Sequence, residues 1–331
     1  MRIVVALTLL VAVGCGSGGD SGETLVRIPK GAGGVGFLPL MVMEKHALVE
    51  KHAREAGLPD VKVQWIALGG PAVLNDALLS GAVDFIAAGP PAFLTLWDRT
   101  RDSLDVRGVA AITSLPMYLN TQADHLKSLD DVREGDKIAL TGVKVSIPSI
   151  IMQMYAHQKY GADQATRFDR YTVTMTHPDG VIALLSGGAG IAAHFTSPPF
   201  HQRERTDPRV RTILRSDDVL GGSTTFTMLS TTAKFREEQP AVYKAVLAAL
   251  EDANQMIAAD IPAAAALLAQ EGGFTTDEMA AVLRDPAIKF TTTPENVLKY
   301  AEFMQGLGTL RTRPAAWTDV FFPEIHSKPG S

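Results

Sequence analysis

A strand–helix alternation runs through this chain once, halts in a long extended stretch, and starts again. In the first round residues 25–28 read as a short strand, 39–56 as helix in one or two pieces, and 61–68 as a strand that begins half-polar and ends wholly apolar. Gly69, Gly70 and Pro71 open a second helix, which Ser80 and Gly81 stop. Residues 83–88 are a buried strand, and Gly89, Pro90 and Pro91 break it to begin a third helix. Such alternation predicts an α/β unit with a mainly parallel sheet. Residues 106–120 are extended, and then the pattern returns: a strand at 137–140, a helix at 148–160 capped by Gly161, a strand at 169–175, a helix begun by His177, Pro178 and Asp179, and a strand at 191–195 closed by Thr196, Ser197, Pro198 and Pro199. The restart predicts a second α/β unit of similar build. Residues 219–230 turn extended once more, and the remainder of the chain is nearly all helix, the last one capped by Thr293 and Pro294. The end of the chain, with Trp317, Phe321 and Phe322, reads as a tail packed over the body.

The chain is long enough for two ordinary domains at 331 residues, and 46% apolar against 20% charged residues excludes a disordered chain. A net charge of −5 with no basic stripe interleaved with aromatics argues against a nucleic-acid partner. The N-terminus is a leader: Met1 and Arg2 precede an apolar run at 3–13, well short of the roughly 20 residues a membrane-spanning helix needs. Small residues lead directly into Cys15, a lipobox-like arrangement in which that cysteine would carry lipid and become the mature N-terminus; an ordinary secretory signal that contains Cys15 is the alternative. The expected division is a signal peptide at 1–14 and a flexible Gly/Ser tether at 15–23. Cys15 is the only cysteine, so the mature chain has no internal disulfide, no thiolate metal site and no cysteine nucleophile.

Local signatures then line up in order. Gly36-Phe37-Leu38-Pro39-Leu40 leads into a helix, and Leu78-Leu79-Ser80-Gly81-Ala82-Val83-Asp84-Phe85 closes one helix and begins a strand. Leu129-Asp130-Asp131-Val132 precedes Lys137-Ile138-Ala139, and later come Thr291-Thr292-Thr293-Pro294-Glu295-Asn296 and Pro323-Glu324-Ile325-His326. Together these resemble the nitrate/taurine-type substrate-binding proteins of ABC importers, the family that also holds alkanesulfonate and thiamine-pyrimidine-precursor binders. The resemblance spans nearly the whole mature chain. It implies a type II periplasmic-binding-protein fold: two α/β lobes joined by two hinge crossovers, a helical C-terminal part, and one ligand clamped between the lobes. On this chain lobe one takes residues 24–112 and 216–331 and lobe two takes 113–215. The extended stretches at 112–117 and 221–228 become the hinges.

In open α/β sheets, ligands lie beyond the carboxyl ends of strands, which brings four loops to the cleft. They contribute Gly36, Phe37, Gly89 and Pro90 from lobe one, and Lys144, Ser146, Ser149, His194, Phe195 and Thr196 from lobe two. Phe37 either stacks on the ligand or fills the core. Ser146 and Ser149 either meet an anion beside free helical N–H groups or cap the helix. Lys144 is a ligand cation or a solvated surface lysine, and His194 a ligand contact or a structural histidine bonded to backbone; His177 ranks second to it. The four loops hold one lysine and no arginine, which favours a neutral or singly charged ligand held by hydroxyls, backbone and stacking.

Gly31, Gly33 and Gly36 also spell G-x-G-x-x-G, a dinucleotide fingerprint, but the next strand ends in Ala67, Leu68 and Gly69 where an acid for the ribose belongs. His46 and His52 are six apart, on different helix faces, and no metal-ligand motif occurs. Gly-x-Ser-x-Gly is absent. The expectation is therefore a non-enzymatic, lipid-anchored, extracytoplasmic solute-binding component. It needs no cofactor or metal and delivers a sulfonate, a pyrimidine-like compound or another small polar organic molecule to an ABC permease. An extracytoplasmic enzyme or sensor subunit on the same fold is the alternative.

Overall fold

A computed structural model describes residues 23–31, 33–187, 190–270 and 273–331. The leader, Cys15 and the tether as far as residue 22 lie outside the described residues. The first round of the alternation forms β1 (Thr24–Pro29), α1 (Leu38–Lys45), α2 (Leu48–Glu55), β2 (Val61–Ile66), α3 (Pro71–Leu79), β3 (Phe85–Ala88), α4 (Pro90–Thr100) and β4 (Val106–Ser114). The second forms β5 (Tyr118–Thr121), β6 (Lys137–Leu140), α5 (Ile147–Tyr160), β7 (Thr172–Thr174), α6 (His177–Ser186), β8 (Ile191–Thr196), α7 (Phe200–Arg205) and β9 (Arg211–Arg215). After α8 (Ser216–Leu220) the chain returns through β10 (Thr225–Thr232) into α9 (Ala233–Glu238), α10 (Pro240–Ala259), α11 (Ile261–Ala269), α12 (Thr276–Leu283), β11 (Lys289–Phe290) and α13 (Val297–Gly306).

The sheets share one plan. β1 pairs in parallel with β2, and β3, β10, β4 and β11 make a four-stranded sheet in the order β11-β4-β10-β3. Arg27 of β1 joins the two pieces: its backbone N–H and guanidinium donate to the Asp84 carboxylate just ahead of β3, at 2.8 and 2.7 Å, and its carbonyl accepts from the Asp84 N–H. The other sheet has the order β7-β6-β8-β5-β9. In each sheet the strand entered by crossing over is antiparallel to both neighbours: β5 to β8 and β9, and β10 to β3 and β4. The crossing segments lie side by side. Thr225 pairs with Ser114, and Ser216 exchanges two hydrogen bonds with Met117.

The core follows from the apolar stripes. Val242, Val246, Ala249, Leu250 and Ala253 bury one face of α10 in the cluster that also holds Leu48, Val49 and Ala53 of α2. Small residues at Ala53, Ala249 and Ala253 allow close approach of helices. The tail is fixed because Gly108 of β4 has no side chain: a Cβ there would stand 2.4 Å from the Phe321 ring, and the Gly108 backbone bonds Val320 and Phe322 on either side of it.

The stretch at 39–56 takes the two-piece form, breaking into α1 and α2 at Ala47, which adopts left-handed φ +46°. Two elements differ from the sequence expectation. Residues 219–220, expected to be extended, end α8, and Gly221 stops it at φ +72°. The last helix begins at Val297 behind a left-handed Asn296 rather than at Thr293; Ser331 supplies the backbone acceptor for the Val297 N–H, a long-range contact that no local pattern announces.

Asp98, at the end of α4, is the buried acid that ties the tail loop to the body. Its carboxylate accepts from the Arg311 backbone and Nε at 3.1 and 3.2 Å and from the Thr312 N–H at 3.1 Å. Burial opposes its ionisation, but these donors prevail and hold its pKa below the ordinary 3.8. A depressed folded-state pKa means stability that is present above the unfolded pKa and lost as pH falls through the folded one. Asp98→Ala is expected to cost about 1–3 kcal/mol in urea unfolding at neutral pH. The gap between wild type and variant should shrink below about pH 4; a gap of constant size down to about pH 3 contradicts this role.

Candidate functional site

Glycines at the carboxyl ends of the first sheet's strands face the second sheet's loops at very short range. A Cβ at Gly34 would stand 3.2 Å from the Phe200 ring and 3.4 Å from the Pro198 carbonyl oxygen, and one at Gly70 would be 3.3 Å from the Thr141 carbonyl oxygen. A Cβ at Gly89 would meet Ile147 at 2.8 Å and the Phe226 carbonyl oxygen at 3.3 Å. Side chains at these positions would prop the two sheets apart. Gly31, Gly33 and Gly34 also hold φ near +80°, a region that L-residues rarely enter, so this loop needs glycine for its backbone as well as for approach.

The inner part of the cleft is filled by an aromatic plug. Phe37 folds back over Gly31 and meets Phe226 edge-on at 6.2 Å between centroids; Phe226 lies against Gly36, where a Cβ would be 2.1 Å from its ring. Of the expected first-sheet residues, Gly36, Phe37 and Gly89 are thus brought together, while Pro90 is buried as the first residue of α4. On the other side, Ser146 donates to the Gly142 carbonyl at 2.6 Å and Ser149 accepts from the Lys144 N–H at 2.8 Å. Both hydroxyls close the loop ahead of α5 on itself; Ser146 makes no side-chain capping bond. Lys144 is exposed at φ +66°. Phe195 has no exposed surface and belongs to the main core.

His194 stands in a buried polar chain. Its Nδ1 lies 2.5 Å from Glu204 Oε1, and both side chains are wholly buried. Glu204 Oε2 accepts from Asn120 Nδ2 at 2.7 Å, and that same nitrogen lies 3.1 Å from His201 Nδ1. Thr212 donates to Asn120 Oδ1 at 2.7 Å, which fixes the direction of the amide. On its other side His194 Nε2 lies 3.2 Å from His177 Nδ1, which Thr196 Oγ1 approaches at 3.4 Å. The first turn of α6 sits directly on this chain, since a Cβ at Gly180 would be 2.5 Å from the His194 ring. Burial and then His194 hold the His177 pKa well below 6.5. Burial, with Arg205 and Arg215 next, pushes His201 down to about 4.

A groove of about 630 Å³ opens at the mouth of the cleft, lined by Gly33 and Gly34, by Pro178, Val181 and Ile182 of α6, by Pro199, Phe200 and Arg203, and by Leu268 and Phe274. Its walls are mostly apolar. Arg203 is the charge there, 6.0 Å from the Phe274 ring and without an ion pair to a described residue within 4.0 Å. The sequence placed one lysine and no arginine at the cleft; the arginine arrives one helical turn beyond Pro199, on α7. Sequence reasoning also missed Phe226, Glu204, Asn120 and His201. Of these, only Phe226 carried a signal, as the aromatic in the second hinge. Among the described residues no group of three His, Cys, Asp or Glu side chains is arranged to hold a metal ion.

No family model matches the sequence, and no curated protein does. Solved structures do. The alkanesulfonate-binding protein SsuA from Xanthomonas axonopodis pv. citri, bound to MOPS, is similar with a TM-score of 0.65 and 15% identity, covering 88% of this chain and 94% of its own. The periplasmic nitrate-binding protein NrtA from Synechocystis PCC 6803 gives a TM-score of 0.67 and 15% identity over 90% of this chain and 84% of its own. A Candida albicans protein described as exhibiting the generic periplasmic binding protein fold gives 0.65 and 13% over 90% of this chain and 94% of its own. Likeness at these identities is likeness of fold, and the chain has the two-sheet α/β fold of the periplasmic binding proteins.

Proposed function

We propose that this chain is the solute-binding component of an ABC importer, closing two lobes on a small ligand and handing it unchanged to a permease. The observation that carries the reading is the cleft itself. Loops from the strand ends of both sheets meet at glycines, beside a groove able to hold a small organic molecule, and the two sheets are joined by paired crossing strands. In this reading lobe one takes residues 24–112 and 216–331 and lobe two takes 113–215. Solved structures of this fold bind alkanesulfonate and nitrate, which supports a small anion here. The groove adds an apolar wall and Arg203, which fit an organic anion with a short carbon body better than a bare inorganic ion. In this reading Phe37 and Phe226 close the inner end of the cleft behind the ligand, with Gly36 giving room to the Phe226 ring and Gly89 to Ile147. The leader and Cys15 support a location outside the cytoplasm on a lipid anchor.

A thermal-shift panel of alkanesulfonates, nitrate and pyrimidine-type compounds tests the reading. A true ligand at 100 times its Kd adds about 2.7 kcal/mol to stability. The bound compound should be recovered chemically intact; its conversion on the protein would remove the transport-only reading. Arg203→Ala should weaken an anionic ligand by about tenfold or more without lowering the melting temperature of the empty protein, because the guanidinium is exposed. For the anchor, Cys15→Ser is expected to move the protein from the membrane fraction to the soluble exported fraction, and unchanged membrane association would rule the lipid out.

A further inference from the structure

The two crossings between the sheets are unlike. In the first, Ser114 pairs with Thr225 and Lys289 in the first sheet, Met117 is bonded to Ser216, and between them stand Leu115 and Pro116 alone. Proline fixes its own φ and keeps the residue before it extended, so this crossing has little freedom to bend. The second crossing runs from α8 through Gly221 and Gly222 to Ser223. α8 is held to the second sheet's side: Ser216 exchanges its two bonds with Met117, and Gln158 of α5 donates to the Val219 carbonyl at 2.9 Å.

Beyond the glycines the chain is clamped to the first sheet's side. Glu295, in the turn ahead of α13, accepts from the Ser223 hydroxyl and from Lys289 of β11, each at 2.7 Å. Its backbone N–H donates to Thr225 Oγ1 and its carbonyl accepts from the Thr225 N–H, both at 2.9 Å. Asn296 Nδ2 donates to the Ser223 carbonyl at 2.6 Å. Gly221 and Gly222 therefore stand between two held pieces. Gly221 at φ +72° is what a helix stop requires; Gly222 at φ +142° is not explained by that stop, and L-residues rarely enter its region. A Cβ on Gly222 would meet nothing within 4 Å, so no neighbour blocks its turning.

A cavity of about 160 Å³ lies against both crossings, lined among others by Leu115, Pro116, Ser216, Asp217, Ser223 and Thr224. Groups that face a void lack partner atoms on that side, so these segments can shift without breaking a packed core. Lys299 of α13 reaches past the glycines to the Leu220 carbonyl at 2.5 Å, on a flexible four-carbon stem that can follow a swing.

We propose that the lobes swing by a change of backbone angle at Gly222, with Leu115–Pro116 as the stiff pivot and Glu295 as the clamp on the lobe-one side. α8 then travels with lobe two, and the lobe boundary falls at Gly222 rather than before α8. This rests on the solute-binding reading and gives that site its control. The sheets stand shut here, with Gly34 against Phe200 and Gly89 against Ile147. Apparent affinity scales with the fraction of protein in the binding-competent arrangement, so the angle at Gly222 tunes affinity from outside the groove.

Spin labels on Ser80→Cys in lobe one and Asp163→Cys in lobe two, both exposed positions, measure the lobe–lobe distance in the full chain carrying Cys15→Ser, with no ligand present. Gly222→Ala cannot keep φ +142° without strain, and opening relieves it, so the distance distribution should move to longer values. Gly221→Ala is the control: the helix stop needs its φ in either arrangement, so that variant should melt at a lower temperature with the distance unchanged. An unchanged distance in Gly222→Ala, or an equal lengthening in Gly221→Ala, overturns the joint. Glu295→Ala should broaden the distribution, and Ser223→Ala should do so where Glu295→Ala fails to fold; a width equal to wild type overturns the clamp. Because no ligand enters the measurement, its failure leaves the solute-binding reading to be decided by the thermal-shift panel.

Discussion

Everything in this molecule hangs on one strand that arrives late. β3 and β4 are not hydrogen-bonded to each other; β10 lies between them, antiparallel to both, and it comes from beyond the second sheet. Until it docks, the facing edges of two buried strands present backbone N–H and C=O groups with no partner. Each such group costs on the order of 1–3 kcal/mol when buried unpaired. The first sheet is therefore incomplete without the second unit having been made, and the two crossing segments are forced to run together where Thr225 meets Ser114. In the solute-binding reading these two adjacent segments are the hinge.

The same strand equips the cleft. Because β10 enters at the strand ends that face the second sheet, its second residue, Phe226, lands against Gly36 and Gly89 and edge-on to Phe37. The crossing segment and the plug of the cleft are neighbours on one strand. Both rings are already packed, Phe37 in the core and Phe226 half-buried against it, so neither would lose much freedom on contact with a ligand.

Where the sequence spoke plainly, it did so through period and punctuation. The alternation of apolar strands with glycine- and proline-opened helices marked β1 to β4 and β6 to β8, and its restart separated the two units. It was silent on α7 and β9. Residues 200–205 read Phe-His-Gln-Arg-Glu-Arg, with one apolar side chain in six, and such a segment has no face to detect. Yet α7 supplies Glu204, His201, Phe200 and Arg203, most of what distinguishes this cleft chemically. Burial of an acid is a tertiary fact: Glu204 is wholly enclosed only because Asn120 and His194 come from β5 and β8 to meet it. The serines ahead of α5 show the converse. Their position was legible, but their hydroxyls bond within the loop, a choice between equivalent local partners that spacing does not decide.

Placing a carboxylate where no water reaches costs several kcal/mol in desolvation, and well-packed apolar residues would make the second sheet at least as stable. Asn120 and His194 supply the hydrogen-bond partners that offset that cost, and His194 extends the chain to His177. A lone neutral histidine at position 177 would exchange between two tautomers and could accept or donate with similar ease. Here its Nδ1 is held against His194 Nε2 and Thr196 Oγ1, so one ring nitrogen is tied to partners in the interior. Leu268, Phe274, Val181 and Phe200 supply apolar surface that any carbon chain satisfies. Discrimination in such a groove has to come from the few polar groups whose state is fixed before the ligand arrives. Arg203 is fixed by its permanent charge, and it stands in the groove beside Gly33 and Gly34.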